Sequence, residues 1–248
     1  AYLVVVGDVD HRRVFRDAER YYGPIAARPL PARRISAEPV QQGPRQAVVK
    51  APAELPYLSM AWHVPAMRDP ARDRDAYALQ VLSAVLDGYD GARLTRRLVR
   101  DSALALSAGA GYDGSGRGPA LFYLDGVPAP GHSVDELEAA LRAELQRIRD
   151  EGVSEAELAR VKTQAVASRV YKRDSLMGQA MEIGYLEAAG LSWRDEERLL
   201  EGLRSVTADE VRSVAQRYFG DDSLSVARLD PLPLETARPR SPFVGVRH

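Results

Sequence analysis

Cysteine is absent from this 248-residue chain. That excludes disulfides, thiolate metal sites and cysteine nucleophiles together. It leaves the redox compartment open, because a cysteine-free protein tolerates cytosol and periplasm alike; a bacterial periplasm is slightly favoured over the cytoplasm. Histidine is scarce as well, with His11, His63, His132 and His248 the only four. A hydrolytic zinc site draws on about three protein ligands. None of these histidines lies three or four residues from another, so no helix face presents two together. Neither His-Glu-x-x-His nor its inverted form occurs, and there is no G-x-S-x-G elbow. His11 and His132 read as residues at helix starts, His63 as a strand residue beside Trp62, and His248 as terminal. No metal or cofactor is expected in this chain. An excess of one charge is also missing: Lys plus Arg is 34 and Asp plus Glu is 35. Neither nucleic acid nor an anionic membrane has an electrostatic reason to bind. No apolar run approaches the roughly 18 residues of a membrane span.

What is present is an ordinary globular balance, 45% hydrophobic and 28% charged, in a chain long enough for one large domain or two small ones. The chain enters a strand-like run at once, which leads to the expectation of a piece separated from something upstream. Residues 2–7, "YLVVVG", are apolar and β-branched and read as a buried strand. Asp10 is a candidate N-cap for a helix over 11–22, with Val14, Phe15, Ala18 and Tyr22 on its apolar face and Gly23-Pro24 at its end. Residues 24–45, rich in Pro and Arg without apolar periodicity, read as a linker.

Two strand-like runs follow at 46–51 and 57–64. In the second, Leu58, Met60, Trp62 and Val64 share one face, and Ser59, Ala61 and His63 the other. Helices are expected at 72–87 and 92–100, separated by "DGYDG". A strand pair is expected at 103–112 and 120–127, joined by the hairpin loop "DGSGRG". Three capping boxes open further helices: Ser133 with Glu136, Ser154 with Glu157, and Thr207 with Glu210. Gly178, Gly184 and Gly190 suggest breaks in the long helix from 155. A strand at 223–229 and a Pro-rich tail close the chain. Blocks of strands and helices without regular βα alternation indicate an α+β fold with a mixed, largely antiparallel sheet. "RYYGP" and "RYFGD" close two helices of similar type, an echo expected of repeated units.

Chemistry-bearing motifs are few. "GSGRG" lacks the Gly-Lys-Ser/Thr ending of a phosphate loop and reads as a turn. Glu155 with Glu157 and Glu196 with Glu197 read as solvated helix surface. Arg93, Arg96, Arg97 and Arg100 fall at i, i+3, i+4 and i+7, so on an α-helix all four share a face. One reading is a solvated face paired with nearby carboxylates. The other is a patch that faces an anion or a peptide carboxylate.

Four stretches carry a family resemblance. "YLVVVGDVDHRRVFRDAERYYGPI", "GARLTRRLVRDSALALSAGAGY", "GVSEAELARVKTQAVAS" and "LRSVTADEVRSVAQRYFGDDSLSVARLDP" together resemble, in order, segments of M16 (pitrilysin/insulinase/mitochondrial-processing-peptidase-like) zinc metallopeptidases. The first resembles the end of that family's first half, and the others its second half. The resemblance implies residues 1–23 as the tail of a preceding homologous half, 24–45 as a linker, 46–235 as the carboxy-terminal-type domain and 236–248 as a tail. It implies two similar halves around a peptide chamber, with zinc only in the upstream half or a paired subunit. The expected partners are that half or subunit, in a dimer, and a peptide substrate. The second half would be non-catalytic, forming one chamber wall, although in active arrangements it supplies an Arg followed seven residues later by a Tyr that help to stabilise the tetrahedral intermediate.

Laid without gaps on that pattern, the Arg position is Val99 and the Tyr position is Leu106. Neither side chain donates a hydrogen bond. Arg100 is one residue away but about 100° around a helix axis, and Tyr112 lies further along the strand. The chain is thus expected to be inactive alone, with Arg93, Arg96, Arg97, Arg100 and Tyr112 as candidate substrate-binding residues. Either a partner supplies the missing pair, or the parent is a proteolytically dead structural subunit.

Overall fold

Alternating burial along strand β2 (Tyr57–Val64) organises the sheet. Leu58, Met60, Trp62 and Val64 are buried, as a period of two demands of a strand with one covered face. In this computed structural model, residues 2–29 and 39–234 are described; residues 30–38 of the expected linker, the 236–248 tail and His248 lie outside them. The other strands are β1 (Arg45–Pro52), β3 (Ala105–Tyr112), β4 (Ala120–Pro128) and β5 (Leu224–Leu232). Their order is β1-β5-β2-β4-β3. Only β1 and β5 run parallel; every other pair is antiparallel. The register sets Phe122 beside Trp62 and Val226 beside Met60, which continues the apolar face across three strands. The fold is therefore the expected α+β arrangement with a mixed, largely antiparallel sheet.

The helices are α1 (His11–Tyr22), α2 (Arg74–Asp87), α3 (Val134–Glu151), α4 (Glu155–Arg173), α5 (Leu176–Ala189), α6 (Glu196–Arg204) and α7 (Ala208–Tyr218), with a π-helix at Thr95–Asp101. Helices α2, α3 and α7 cover the apolar sheet face, and α4 and α6 pack on the outer side of α2. A helix between two layers must be apolar all round. Accordingly α2 buries Ala76, Tyr77, Ala78, Leu79, Val81, Leu82, Val85 and Leu86. The other sheet face has no helix against it among the described residues.

All three capping boxes form. Ser133 with Glu136 and Thr207 with Glu210 exchange both hydrogen bonds, and Ser154 and Glu157 do the same. Asp10 caps α1 through the Arg12 amide.

Three local expectations are corrected. Residues 2–7 form no strand: neither sheet edge pairs with them, and Leu3 and Val5 stay exposed. A β-branched run alone cannot supply a ladder partner. Gly178 and Gly184 lie inside α5. The real break precedes Ser175, whose side chain caps the Gly178 amide, and only Gly190, with φ 90°, ends a helix. Finally, the helix expected at 92–100 is largely a π-helix.

One glycine on α6 tests this packing. A Cβ at Gly202 would lie 2.3 Å from Cζ of Tyr77. That ring is 2% exposed, and its hydroxyl is tied to the Pro70 carbonyl at 2.9 Å. Gly202→Ala gains helix propensity, worth about 1 kcal/mol. The clash nevertheless makes it a net loss of about 1–3 kcal/mol, read as a lower urea midpoint; a raised midpoint would mean that Tyr77 does not pack there.

Candidate functional site

The segment between α2 and β3 carries the residues singled out from sequence. After "DGYDG", Ala92, Arg93 and Leu94 are buried. The π-helix then widens the turn, and the Ser102 amide donates to the Arg97 carbonyl five residues back at 3.1 Å. Ala103 follows in the left-handed region at φ 50°, and the chain turns into β3.

The wider turn splits the four arginines, so they do not share one face. Arg93 points inward and is 7% exposed. Its guanidinium donates to both Glu157 oxygens, at 2.9 and 2.8 Å, and to the Gly152 carbonyl at 3.2 Å. Arg97 reaches Glu144 at 3.2 Å. The Glu144 carboxylate is buried and also accepts from Arg147. Arg96 and Arg100 point outward and form no ion pair among the described residues. Glu157, expected on a solvated surface, is instead a half-buried partner. The Arg93 guanidinium, together with the Ser154 amide and hydroxyl, holds its carboxyl down to about 2. A bidentate Arg–carboxylate pair of this kind ties the π-helix to the start of α4.

Val99 is half-buried against the core. Leu106 is 49% exposed and stands at a β-bulge, since Ala105 pairs with Pro128 and Ser107 already with Val127. A bulge of this kind turns a side chain to the other face. Tyr112 faces the helix-covered side. Its ring stacks on Phe122 at 6.4 Å, its hydroxyl donates to the Pro65 carbonyl at 2.6 Å, and burial pushes its pKa up. The structure thus brings Arg93 and Arg97 into partly buried pairs, leaves Arg96 and Arg100 at the surface, and holds Tyr112 apart from both.

The open sheet face carries what sequence reading missed. The expected row Ser59, Ala61 and His63 lies there. The register adds Ser225 and Ala227 from β5 and Tyr123 and Asp125 from β4, giving a shallow strip of small side chains beside exposed aromatics. The Tyr57 hydroxyl donates to Asp125 at 2.7 Å. Burial, and then that bond, push its pKa up to about 12. The Tyr123 ring lies over Gly111, where a Cβ would meet it at 2.0 Å. Only the cross-strand register places these groups together; alternation within β4 was the one available signal.

Among the described residues no group of three or more His, Asp or Glu side chains is placed to hold a metal. His11, His63 and His132 stand on α1, on β2 and ahead of α3. No set of donors among the described residues fits a zinc ion. No helix among the described residues is long and apolar enough to cross a membrane.

The chain belongs to the M16 peptidase family, as a domain of its inactive, carboxy-terminal type. The family model described as the peptidase M16 inactive domain matches residues 1–165. A Rickettsia felis protein named an uncharacterized zinc protease is 23% identical over 230 residues, which is 90% of this chain and 52% of that protein. A protease from Helicobacter pylori superposes with a TM-score of 0.80 at 22% identity, over 91% of this chain and 54% of that one. The inactive peptidase domain from Bordetella parapertussis superposes at 0.64 and 20% identity, over 77% of this chain and 98% of that one. At these identities the structural likenesses show the fold. The chain spans about half the length of the curated relative it matches.

The Arg93–Glu157 pair sets a pH dependence. The Glu157 carboxyl lies below its ordinary 4.5, at about 2. The pair therefore stabilises the fold fully above pH 4.5, and the contribution is lost as pH falls towards 2. The shift corresponds to about 3 kcal/mol. Glu157→Gln should flatten the acid limb of stability between pH 5 and 2, measured by urea titration at each pH; an unchanged limb would remove the pair from the account.

Proposed function

We propose that this chain is the non-catalytic wall of a peptide chamber and mates with a zinc-bearing half or subunit. The observation that carries this reading is the one-sided sheet. Helices cover one face, while Tyr57, Leu121, Tyr123 and Val49 stand exposed on the other. An uncovered sheet face with exposed aromatic and aliphatic side chains suits an extended peptide. Arg96 and Arg100, outward and unpaired among the described residues, are suited to peptide carboxylates. Two further observations support an upstream partner. The curated relative, named a zinc protease, is about twice as long as this chain. Residues 2–25 leave Leu3, Phe15, Tyr22 and Ile25 exposed, as a segment that packs on a preceding half would. Residues 46–235 are then the domain proper. Zinc chemistry belongs to the partner, and the chain's contribution is to hold and orient the peptide.

The aliphatic Val99 and Leu106 favour a second reading, a proteolytically dead structural subunit. Cleavage of a quenched fluorescent peptide by the chain co-expressed with the zinc-bearing half separates the two. Under the first reading cleavage requires this chain, and Tyr123→Asp lowers kcat/KM at least tenfold with an unchanged melting temperature. A stable complex without cleavage, despite intact zinc ligands in the partner, decides for the second. The isolated chain should show no cleavage and no stoichiometric zinc; one tightly bound zinc per chain, by elemental analysis, contradicts both.

A further inference from the structure

We propose that the cavity framed by α2, α4, α5, α6 and the 113–118 loop is a binding site for a small uncharged aromatic group, with the loop as its cover. The site lies on the helical side, apart from the open sheet face, and does not depend on the chamber reading. The cavity holds about 530 Å³, within the range of roughly 300–1,000 Å³ typical of ligand pockets.

Its walls define the ligand class. The floor is apolar: Met67, Leu186, Leu191, Leu199 and Leu203 line it and are buried. The rings of Tyr77 and Tyr112 also line it. Their hydroxyls donate elsewhere, to the carbonyls of Pro70 and Pro65 at 2.9 and 2.6 Å. The half-buried Tyr112 ring therefore offers surface to a second ring, in edge or offset contact, while the Tyr77 ring, 2% exposed, only closes the floor. No Lys or Arg is among the described lining residues, so none of these side chains offers an anion a counter-charge. Glu182, the one charged residue among the described lining, has an interaction of its own, and no second carboxylate in that lining stands beside it to hold a cation. Gln80 and Ser168, both exposed at the mouth, suit a single hydroxyl or amide substituent.

The cover is held by three separate ties. Gly114 and Ser115 contribute to the wall. The Met67 amide donates to the Gly114 carbonyl at 2.7 Å. The Arg68 guanidinium donates to the carbonyls of Gly116, Arg117 and Gly118 at 2.6, 2.9 and 2.6 Å. The Tyr185 hydroxyl donates to the Asp113 carboxylate at 2.8 Å. Residues 67, 68 and 185 thus hold this glycine-rich hairpin loop over the cavity.

The test is calorimetric and NMR titration of the full chain with p-cresol, benzylamine and benzoate. Saturable p-cresol binding is expected, with both charged probes at least tenfold weaker. Ser168→Trp, at an exposed position, should block the mouth and weaken p-cresol at least tenfold without moving the melting temperature. Absence of saturable p-cresol binding, equal binding of benzoate, or indifference to Ser168→Trp would each overturn the proposal. A capped Ala-Tyr-Ala tripeptide that binds as well as p-cresol assigns the aromatic group to a peptide side chain, and its exclusion assigns it to a free molecule.

Discussion

The double-sided burial of α2 is the constraint on which the other elements depend. One side of the helix covers the sheet and the other receives α4 and α6. Each fully buried Leu contributes roughly 1.5–3 kcal/mol relative to exposure, and α2 contributes Leu79, Leu82 and Leu86. Its ends are tied as well. At the start, Arg74 donates to both oxygens of Glu210 at 2.9 Å, which joins α2 to the capping box of α7. At the end, Asp87 accepts from the Ala110 amide at 3.2 Å and closes off part of the β3 edge. The π-helix, the bulge and the covered cavity all take their positions from this one helix.

Features set by neighbours in sequence were legible. The three capping boxes depend on a spacing of three residues, and the burial of β2 on a spacing of two. Both are local, and both match the structure. The failures came where a partner distant in sequence decides. "YLVVVG" has every property of a strand except a ladder to join. The insertion of β5 between β1 and β2 leaves no trace in either run. Glu157 looked like helix surface because nothing nearby reveals Arg93, 64 positions earlier in the chain.

At the candidate site the same division holds. That Val99 and Leu106 lack donors is plain from their identity. That one leans on the core while the other is turned out at a bulge required the β3–β4 register. The four arginines have α-helical spacing, yet the backbone there adopts i→i+5 bonds. Two of them thus became internal struts and two remained outside. Residue type was readable throughout; direction was not.

The parallel pairing of β1 with β5 also bears on how the protein is made. During synthesis from the amino terminus, β3 and β4 can pair as a hairpin and β4 can then add to β2, with α2 already in hand. Strand β1 must wait, unpaired on both sides, until residues 224–232 emerge. Contacts separated by so much chain raise contact order and slow closure, and an idle strand edge invites association with other copies. Kinetic vulnerability is therefore concentrated in the interval before the final strand arrives.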